Sequence, residues 1–554
     1  MKKSLLFSIG TLFSLLFTSC SGSSCNCPED ENGHKDEVSL EKDALDNYAF
    51  DTESSNKDGS MSYEIFVRSF YDTNGDGIGD IKGVKEKLPY LADLGIKTLW
   101  LMPIHPSPSY HGYDVTDYYD VNKDYGTLAD FDELVAEANK LNIDIMLDMV
   151  FNHSSTKNSY FTDSYADYKA HKSGSTSKAD WYNWSTTQGD GYSKWGDYYY
   201  EARFDSSMPD LNWDSGTMRA EIEKICKFWI KDHGVKGFRL DAVLYYYYNE
   251  TGKNVEALTW LENTCKKYNS NFYMVGEAWT SRSVVLEYHA SQCDSFFNFA
   301  ASLEGSGDDA MLSIIRSNSE RASYGANEKW AKRVQSYEAQ IKEKNKDGYS
   351  SYFLSNHDGD RVGDTLQECF MKSAASLYGL MPGTSFMYYG EEIGLKGTRI
   401  TSPDDRSDAR RRLPMVWSKE NKTGECAFPE KNRQDLTNNE QVEDGADDLI
   451  SVFYSLPNHY KKVINVRNKY PFIKHSVFTN MVSSLNRGDN QYVLAYKLSL
   501  GSEYIIVVHN FNQYAIEVDA PGTEIVDEIN TNRQKPRLKN GKLGIGAYST
   551  VIMK

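Results

Sequence analysis

Four short segments, far apart in a chain of 554 residues, each join a carboxylate to an apolar run, and three of them add a His or an Arg. They are Asp148-Met149-Val150-Phe151-Asn152-His153, Gly237-Phe238-Arg239-Leu240-Asp241, Gly276-Glu277-Ala278-Trp279 and Ser355-Asn356-His357-Asp358. Such residues suit cleavage of a glycosidic bond. Cleavage with retention needs a nucleophilic carboxylate and a carboxylic acid that protonates the leaving oxygen, about 5–5.5 Å apart around an oxocarbenium-like transition state. Arg239, two residues before Asp241, falls on the same side of a strand, where its guanidinium would hold a nucleophilic Asp241 ionised. Glu277 must start protonated, which an apolar setting beside Trp279 favours. Asp358 is then left to bind sugar hydroxyls and assist distortion of the ring. One acid at a strand end more often caps a turn; the ordered set, with His153 and His357 beside it, carries the reading.

The elements that must gather these residues alternate. Strand character is expected at 63–67, 97–101, 143–150, 235–240, 272–276, 294–298, 350–355 and 384–389. Between the strands lie helical patterns: Val84, Leu88, Leu91 and Leu94 before Gly95, and Phe131, Leu134, Val135, Ala138 and Leu141 behind a Thr127/Asp130 start. Another has Ile222, Ile225, Cys226 and Trp229 inward from Thr217. Eight strands with helices between them imply an α/β fold, a closed (β/α)8 TIM barrel whose strand ends share one face. The stretch 152–214, rich in Tyr, Trp, Gly, Asp and Ser and poorly helical, reads as a small domain inserted after strand three. Barrel residues are thus expected at 58–151 and 215–472. Residues 473–554 alternate as strands do (Tyr492 to Tyr496, Tyr504 to Val508) and read as an antiparallel β-sandwich.

Bulk properties narrow the partners. A net charge of −18 argues against nucleic acid or anionic lipid surfaces and suits a neutral substrate or a bound cation. Aromatic content of 13%, with 39 Tyr and 10 Trp, supplies flat faces on which sugar rings stack. Met1-Lys2-Lys3, the apolar run Ser4 to Phe17, and Phe17-Thr18-Ser19-Cys20 resemble a bacterial lipoprotein signal (1–20) with the lipid anchor on Cys20. Residues 21–57 read as a flexible tether. Of the eight cysteines, Cys226, Cys265, Cys293, Cys369 and Cys426 lie beyond the leader without a Cys-x-x-Cys pair, and are expected as buried free thiols. Asp72-Thr73-Asn74-Gly75-Asp76-Gly77-Ile78-Gly79-Asp80 sets side-chain oxygens at positions 1, 3, 5 and 9 and the Ile78 carbonyl at 7, as in the first part of an EF-hand loop. Gly83 stands where such a loop has its Glu, so Ca2+ is expected with an incomplete protein shell.

The ordered segments resemble the signature regions of glycoside hydrolase family 13, the α-amylase family, from about Tyr63 to Lys554. Met208-Pro209-Asp210-Leu211-Asn212 is similar to a further family motif near the end of the inserted domain. The resemblance implies Asp241 as nucleophile, Glu277 as general acid/base and Asp358 as transition-state stabiliser. It also implies that Arg239, His153 and His357 contact the sugar in the −1 subsite. His111-Gly112-Tyr113-Asp114 resembles the segment whose Tyr stacks under that sugar, and several members carry calcium in the loop after strand one. With its leader, the chain is most similar to starch-degrading lipoprotein amylases of Bacteroidota. The implied activity is a retaining endo-acting α-amylase on α-1,4-glucan polysaccharide or maltooligosaccharides. The implied setting is the cell envelope, anchored by lipid at the outer membrane and facing outward, with other glucan-uptake proteins as partners.

Two departures bear on specificity. Where many α-amylases carry Lys-His after the nucleophile, this chain has Leu244 and Tyr245, so the leaving-group side is expected to rely on stacking. Arg412-Leu413-Pro414-Met415-Val416-Trp417 resembles a segment of α-glucosidase-like members, in which an Asp–Arg pair closes the site beyond −1; Asp114 with Arg412 could make that pair. Exo-α-glucosidase, oligo-1,6-glucosidase and neopullulanase-like activities therefore stand as alternatives. A non-catalytic glucan-binding lipoprotein is more remote, because all three carboxylates are present.

Overall fold

A computed structural model describes residues 38–42, 61–303, 305–315, 325–400, 406–428, 442, 444–485 and 492–554. The leader with Cys20 lies outside them, as does the expected tether apart from residues 38–42. In chain order the first strands are β1 (Met61–Ile65), β2 (Thr98–Leu101) and β3 (Asp144–Met149). An insert follows with β4 (Trp184–Ser185), β5 (Tyr192–Trp195) and β6 (Tyr198–Glu201). The chain then returns as β7 (Gly237–Leu240), β8 (Tyr273–Gly276), β9 (Ser295–Phe297), β10 (Tyr349–Phe353) and β11 (Thr384–Tyr388). The barrel closes in the order β1-β11-β10-β9-β8-β7-β3-β2, and each pairing is parallel. All eight strands stand where the apolar runs place them. Trp100, Met146, Val275, Phe297, Phe299, Phe353 and Phe386 pack together as one buried cluster, a filled lumen rather than a pore.

The helices show where local chemistry outweighs periodicity. Leu128–Lys140 begins with the expected capping box, Thr127 Oγ1 accepting from Asp130 N at 3.2 Å and Asp130 Oδ2 accepting from Thr127 N at 2.9 Å. The pattern of Val84 to Leu94 is instead two short helices, Ile81–Glu86 and Leu88–Asp93, because Pro89 starts a new first turn. The insert is more helical than its composition suggests. Asn158 caps Ser159–Lys169, and Phe161 from that helix packs 4.9–5.2 Å from the rings of Tyr182, Trp184, Trp195 and Tyr200.

The C-terminal region contains β12 (Val477–Asn480), β13 (Val493–Leu500), β14 (Glu503–Asn510), β15 (Ile516–Asp519), β16 (Ile525–Ile529), β17 (Arg537–Lys539), β18 (Lys542–Ile545) and β19 (Thr550–Met553). Sheets β12-β13-β14-β19-β16 and β15-β18-β17 are antiparallel and share a core that includes Val493, Val508 and Val551 from one and Ile516, Leu543 and Ile545 from the other. Residues 38–42 depart from the tether reading: Leu40 is buried against Gly544, and Lys42 bridges to Gln534. Among the cysteines, Cys226, Cys265, Cys293 and Cys426 are buried free thiols, whereas Cys369 is disulfide-bonded, contrary to the expectation from spacing.

Candidate active site

Arg239 and Asp241 emerge from β7 on the same side, as period two requires, and the guanidinium organises what surrounds it. Arg239 Nη1 lies 2.7 Å from Asp241 Oδ1 and 2.8 Å from Asp148 Oδ1, and Nη2 lies 3.0 Å from Glu277 Oε1. One buried cation thus touches three carboxylates, so Asp241 and Glu277 flank a single gap. Glu277 follows β8 directly. The preceding residue must be glycine, because a Cβ on Gly276 would meet the Phe296 ring at 2.5 Å. The other Glu277 oxygen, Oε2, accepts from Ala242 N at 2.8 Å. Ala242 has φ 50°, a left-handed conformation costly for a residue with a Cβ, and this aims its N–H at Glu277.

Asp358 follows β10 and sits among different partners. His357 Nε2 is 2.9 Å from Asp358 Oδ2, and Arg412 Nη2 donates to Asp358 Oδ1 at 2.9 Å. His357 Nδ1 lies 2.5 Å from Glu64 Oε1 of β1. Tyr113 Oη is 2.6 Å from His357 Nε2 and donates to Asp148 Oδ2 at 3.1 Å, linking the two carboxylate groups. His111 stacks on the Tyr113 ring at 5.9 Å.

Electrostatics separates the acids. Burial pushes the Asp241 carboxyl up to about 6 against the pull of Arg239, and does the same for Asp148. Burial raises Glu277 as well, with Asp241 adding to the shift and Arg239 opposing it. Asp358 goes the other way: burial works to raise it, but the charges of His357 and Arg412 hold it well below the usual carboxylate range. Burial works to lower His357, and the Asp358 and Glu64 carboxylates outweigh it, raising the imidazole to about 10. At neutral pH, Asp241 and Asp358 are therefore anionic beside cations, and burial favours the protonated form of Glu277.

The remaining expected residues are placed less uniformly. His153 is buried at the junction with the insert, 5.4 Å ring to ring from Phe204, and burial lowers its imidazole to about 3, so it is neutral. Tyr245 packs on Phe204 at 4.7 Å. Asp114 and Arg412 do not form the pair that would close the site. Asp114 Oδ1 accepts from Ser107 Oγ at 2.6 Å and from Ser109 Oγ, while Arg412 is committed to Asp358 and, through Nε, to the His357 carbonyl at 3.0 Å. Two participants were missed in sequence, Glu64 and Ala242, and Asp148, though quoted within its segment, was given no role. An acid inside the apolar strand β1 and another inside β3 were the available signals, since a buried strand acid needs a partner.

The loop 72–80 curls about its own first carboxylate. Asp72 accepts from the backbone N–H groups of Asn74, Gly75 and Gly77 at 2.7–3.0 Å, and Gly75 and Gly77 take φ 79° and 86° as the turn requires. Asp80 instead caps Ile81–Glu86 through Gly83 N at 2.7 Å and binds Thr73. Among the described residues, no group of three or more His, Cys, Asp or Glu is placed to hold a metal. A cation here would therefore need the Asn74 amide oxygen and the Ile78 carbonyl as well as carboxylates.

Residues 64–476 match the family model of the α-amylase catalytic domain, and residues 493–552 match that of the C-terminal domain of the α-amylase SusG. Alpha-amylase 3 of Dictyoglomus thermophilum is 36% identical over 505 residues, covering 89% of this chain and 93% of that protein. An oligo-1,6-glucosidase of Parageobacillus thermoglucosidasius is 29% identical over 530 residues, covering 82% and 90%. Among solved structures, Eubacterium rectale Amy13B is similar with a TM-score of 0.80 at 36% identity, covering 90% of this chain and 95% of that one. A match that runs through the barrel and on into the sandwich shows that the chain belongs to glycoside hydrolase family 13, the α-amylase family of hydrolases.

Proposed function

We propose that the protein is an endo-acting α-amylase that hydrolyses α-1,4-glucosidic bonds with retention. Asp241 attacks the anomeric carbon while Glu277 gives its proton to the leaving oxygen, and a covalent glycosyl-enzyme forms. Glu277, now a carboxylate, takes a proton from water, whose oxygen displaces Asp241 from the sugar. The Asp358–His357–Arg412 cluster presents a fixed anion to the sugar hydroxyls, and Arg239 steadies both reacting acids. The observation that favours endo action is the pairing of Arg412 with Asp358 instead of Asp114. Beside Asp114 there opens a pocket of about 690 Å³, lined among others by His111, Asp205, Arg399 and Asp408, with room for further glucosyl units.

A product time course on amylose and on pullulan tests this. A spread of maltooligosaccharides from the first minutes is the expected result; glucose alone would mean exo-cleavage. Scission of pullulan would favour the second reading, a neopullulanase- or oligo-1,6-glucosidase-like enzyme, to which the similarity to an oligo-1,6-glucosidase lends support. The proposal extends to placement and metal. The lipoprotein-type leader supports a lipid anchor at Cys20 and an outer-membrane, outward-facing position, which protease accessibility on intact cells would check. Among the described residues no helix is long and apolar enough to cross a membrane. The oxygen-rich loop of Asp72, Asn74, Asp76, Ile78 and Asp80 suits Ca2+, which would brace the turn after β1.

A further inference from the structure

Among the described residues, the buried histidines are His105, His153, His289, His357, His459 and His509. Burial lowers all but His357 to about 3 or 4, so those rings are neutral. His357 differs because a carboxylate oxygen stands at each ring nitrogen, Glu64 Oε1 at Nδ1 and Asp358 Oδ2 at Nε2. A neutral imidazole has one N–H, so it could serve one of these acceptors and would turn a lone pair on the other. Asp358 is held as an anion from its other oxygen too, where Arg412 Nη2 donates at 2.9 Å. Tyr113 Oη, 2.6 Å from Nε2, points its own hydrogen at Asp148 Oδ2 and so also accepts from the ring. Two ring protons satisfy all three acceptors; one does not.

Glu64 stands behind this arrangement. It lies within β1, in register with Trp100 of β2 and Tyr388 of β11. Its side chain is 2% exposed against 28% for Asp358 on the far side of the imidazole. Trp100 meets the His357 ring edge-on at 5.7 Å, and Arg239 sits beyond Tyr113, 5.7 Å over that ring. A carboxylate buried in a barrel strand is costly unless paired, and a glutamine would fill the same space and still accept from Nδ1. What the acid adds is charge.

We propose that Glu64 is a positioning residue whose charge keeps the second proton on His357, so that Nε2–H stays available to Asp358 and Tyr113 across the working pH range. This rests on the retaining reading above, in which Asp358 acts as an anion on the sugar hydroxyls. Were the ring to keep only its Nδ1 proton, the Nε2 lone pair would face Asp358 Oδ2 at 2.9 Å and the Tyr113 oxygen at 2.6 Å. Two attractive contacts on the sugar side would then turn repulsive.

Glu64→Gln keeps the shape and removes the charge. Loss of a carboxylate at hydrogen-bond distance lowers an imidazole by about 1–3 pH units. On amylose, kcat of the variant should therefore fall about tenfold or more below the parent at about pH 8.5. It should stay within about threefold at about pH 6, where the ring is protonated in both. A side chain that only filled the barrel would lower kcat by one factor at every pH; that result, or no change at any pH, overturns the inference. Should the variant not fold, nitrogen-15 NMR of the histidine-labelled parent decides. The ring signals that disappear in His357→Gln should report an imidazolium at about pH 8.5, and a neutral ring there overturns the inference while leaving the hydrolytic reading standing. A parent that releases no reducing ends from amylose or pullulan overturns the hydrolytic reading itself, and the role of Glu64 in it falls as well.

Discussion

Arg239 sets the residue-scale chemistry, because one guanidinium contacts Asp148, Asp241 and Glu277 within 3.0 Å. Its charge offsets only part of the burial cost of Asp241, which leaves that carboxyl at about 6 and titrating together with Asp148. In the proposed role of nucleophile Asp241 must be anionic, so kcat/KM should fall as pH drops through about 6. Glu277, raised by burial, must be protonated, so activity should fall again on the alkaline side as its proton is lost. A pH–rate profile reads both limbs, and an acid limb near 4 would contradict the assignment. Asp241→Asn removes the proposed nucleophile while keeping its shape. We expect a loss of kcat of about a thousandfold or more with starch binding retained, measured by reducing-sugar release and by affinity electrophoresis.

At the scale of elements, the strand ends and the short turns after them do different work. β7 delivers Arg239 and Asp241 to one side by periodicity alone, and that was legible in the sequence. The turn after β7 was not, since nothing in Asp241-Ala242-Val243 announces a left-handed alanine. A β-branched residue tolerates that conformation poorly. Ala242→Val should therefore cost about 1–2 kcal/mol and tilt the N–H that faces Glu277. The expected readout is lowered kcat/KM with a displaced alkaline limb, whereas Ala242→Gly should stay close to the parent in both. Equal profiles for the two variants would show that the turn does not position the acid. The helix Ser159–Lys169 makes a related point: a Tyr- and Asp-rich segment gains its stability from the Asn158 cap and from Phe161 at the centre of the insert's aromatic cluster, neither of which composition reveals.

For the whole molecule, the loop after β1 is stitched to distant parts of the chain: Ala427 N donates to the Gly77 carbonyl, and Asp72 N to that of Gly424. A cation bound at Asp72, Asn74, Asp76, Ile78 and Asp80 would stabilise more than the loop itself. Chelation should lower Tm by several degrees, about 1 kcal/mol or more of stability for bound Ca2+, with recovery on adding Ca2+ but not Mg2+. An unchanged Tm by calorimetry would show the loop to be self-sufficient through its Asx turns. The N-terminal residues 38–42 join the C-terminal sandwich in the same long-range way, through Leu40 and Lys42.

The eight strands, the insert and the sandwich were readable in the sequence, and so were the three carboxylates for which reactive roles are proposed. Each depends on local patterns of period two or on a residue type that the chemistry demands. Tertiary structure decided how the charges are shared. The sequence offered Arg412 to Asp114, but the fold brings it to Asp358 and to the His357 carbonyl, while His357 itself meets Glu64 of β1, two strands away from β10 around the barrel. The same holds for Asp148 and for Ala242. Their partners lie tens to hundreds of residues away or depend on one backbone angle, and electrostatic preference depends on distance in space, which no spacing along the chain encodes.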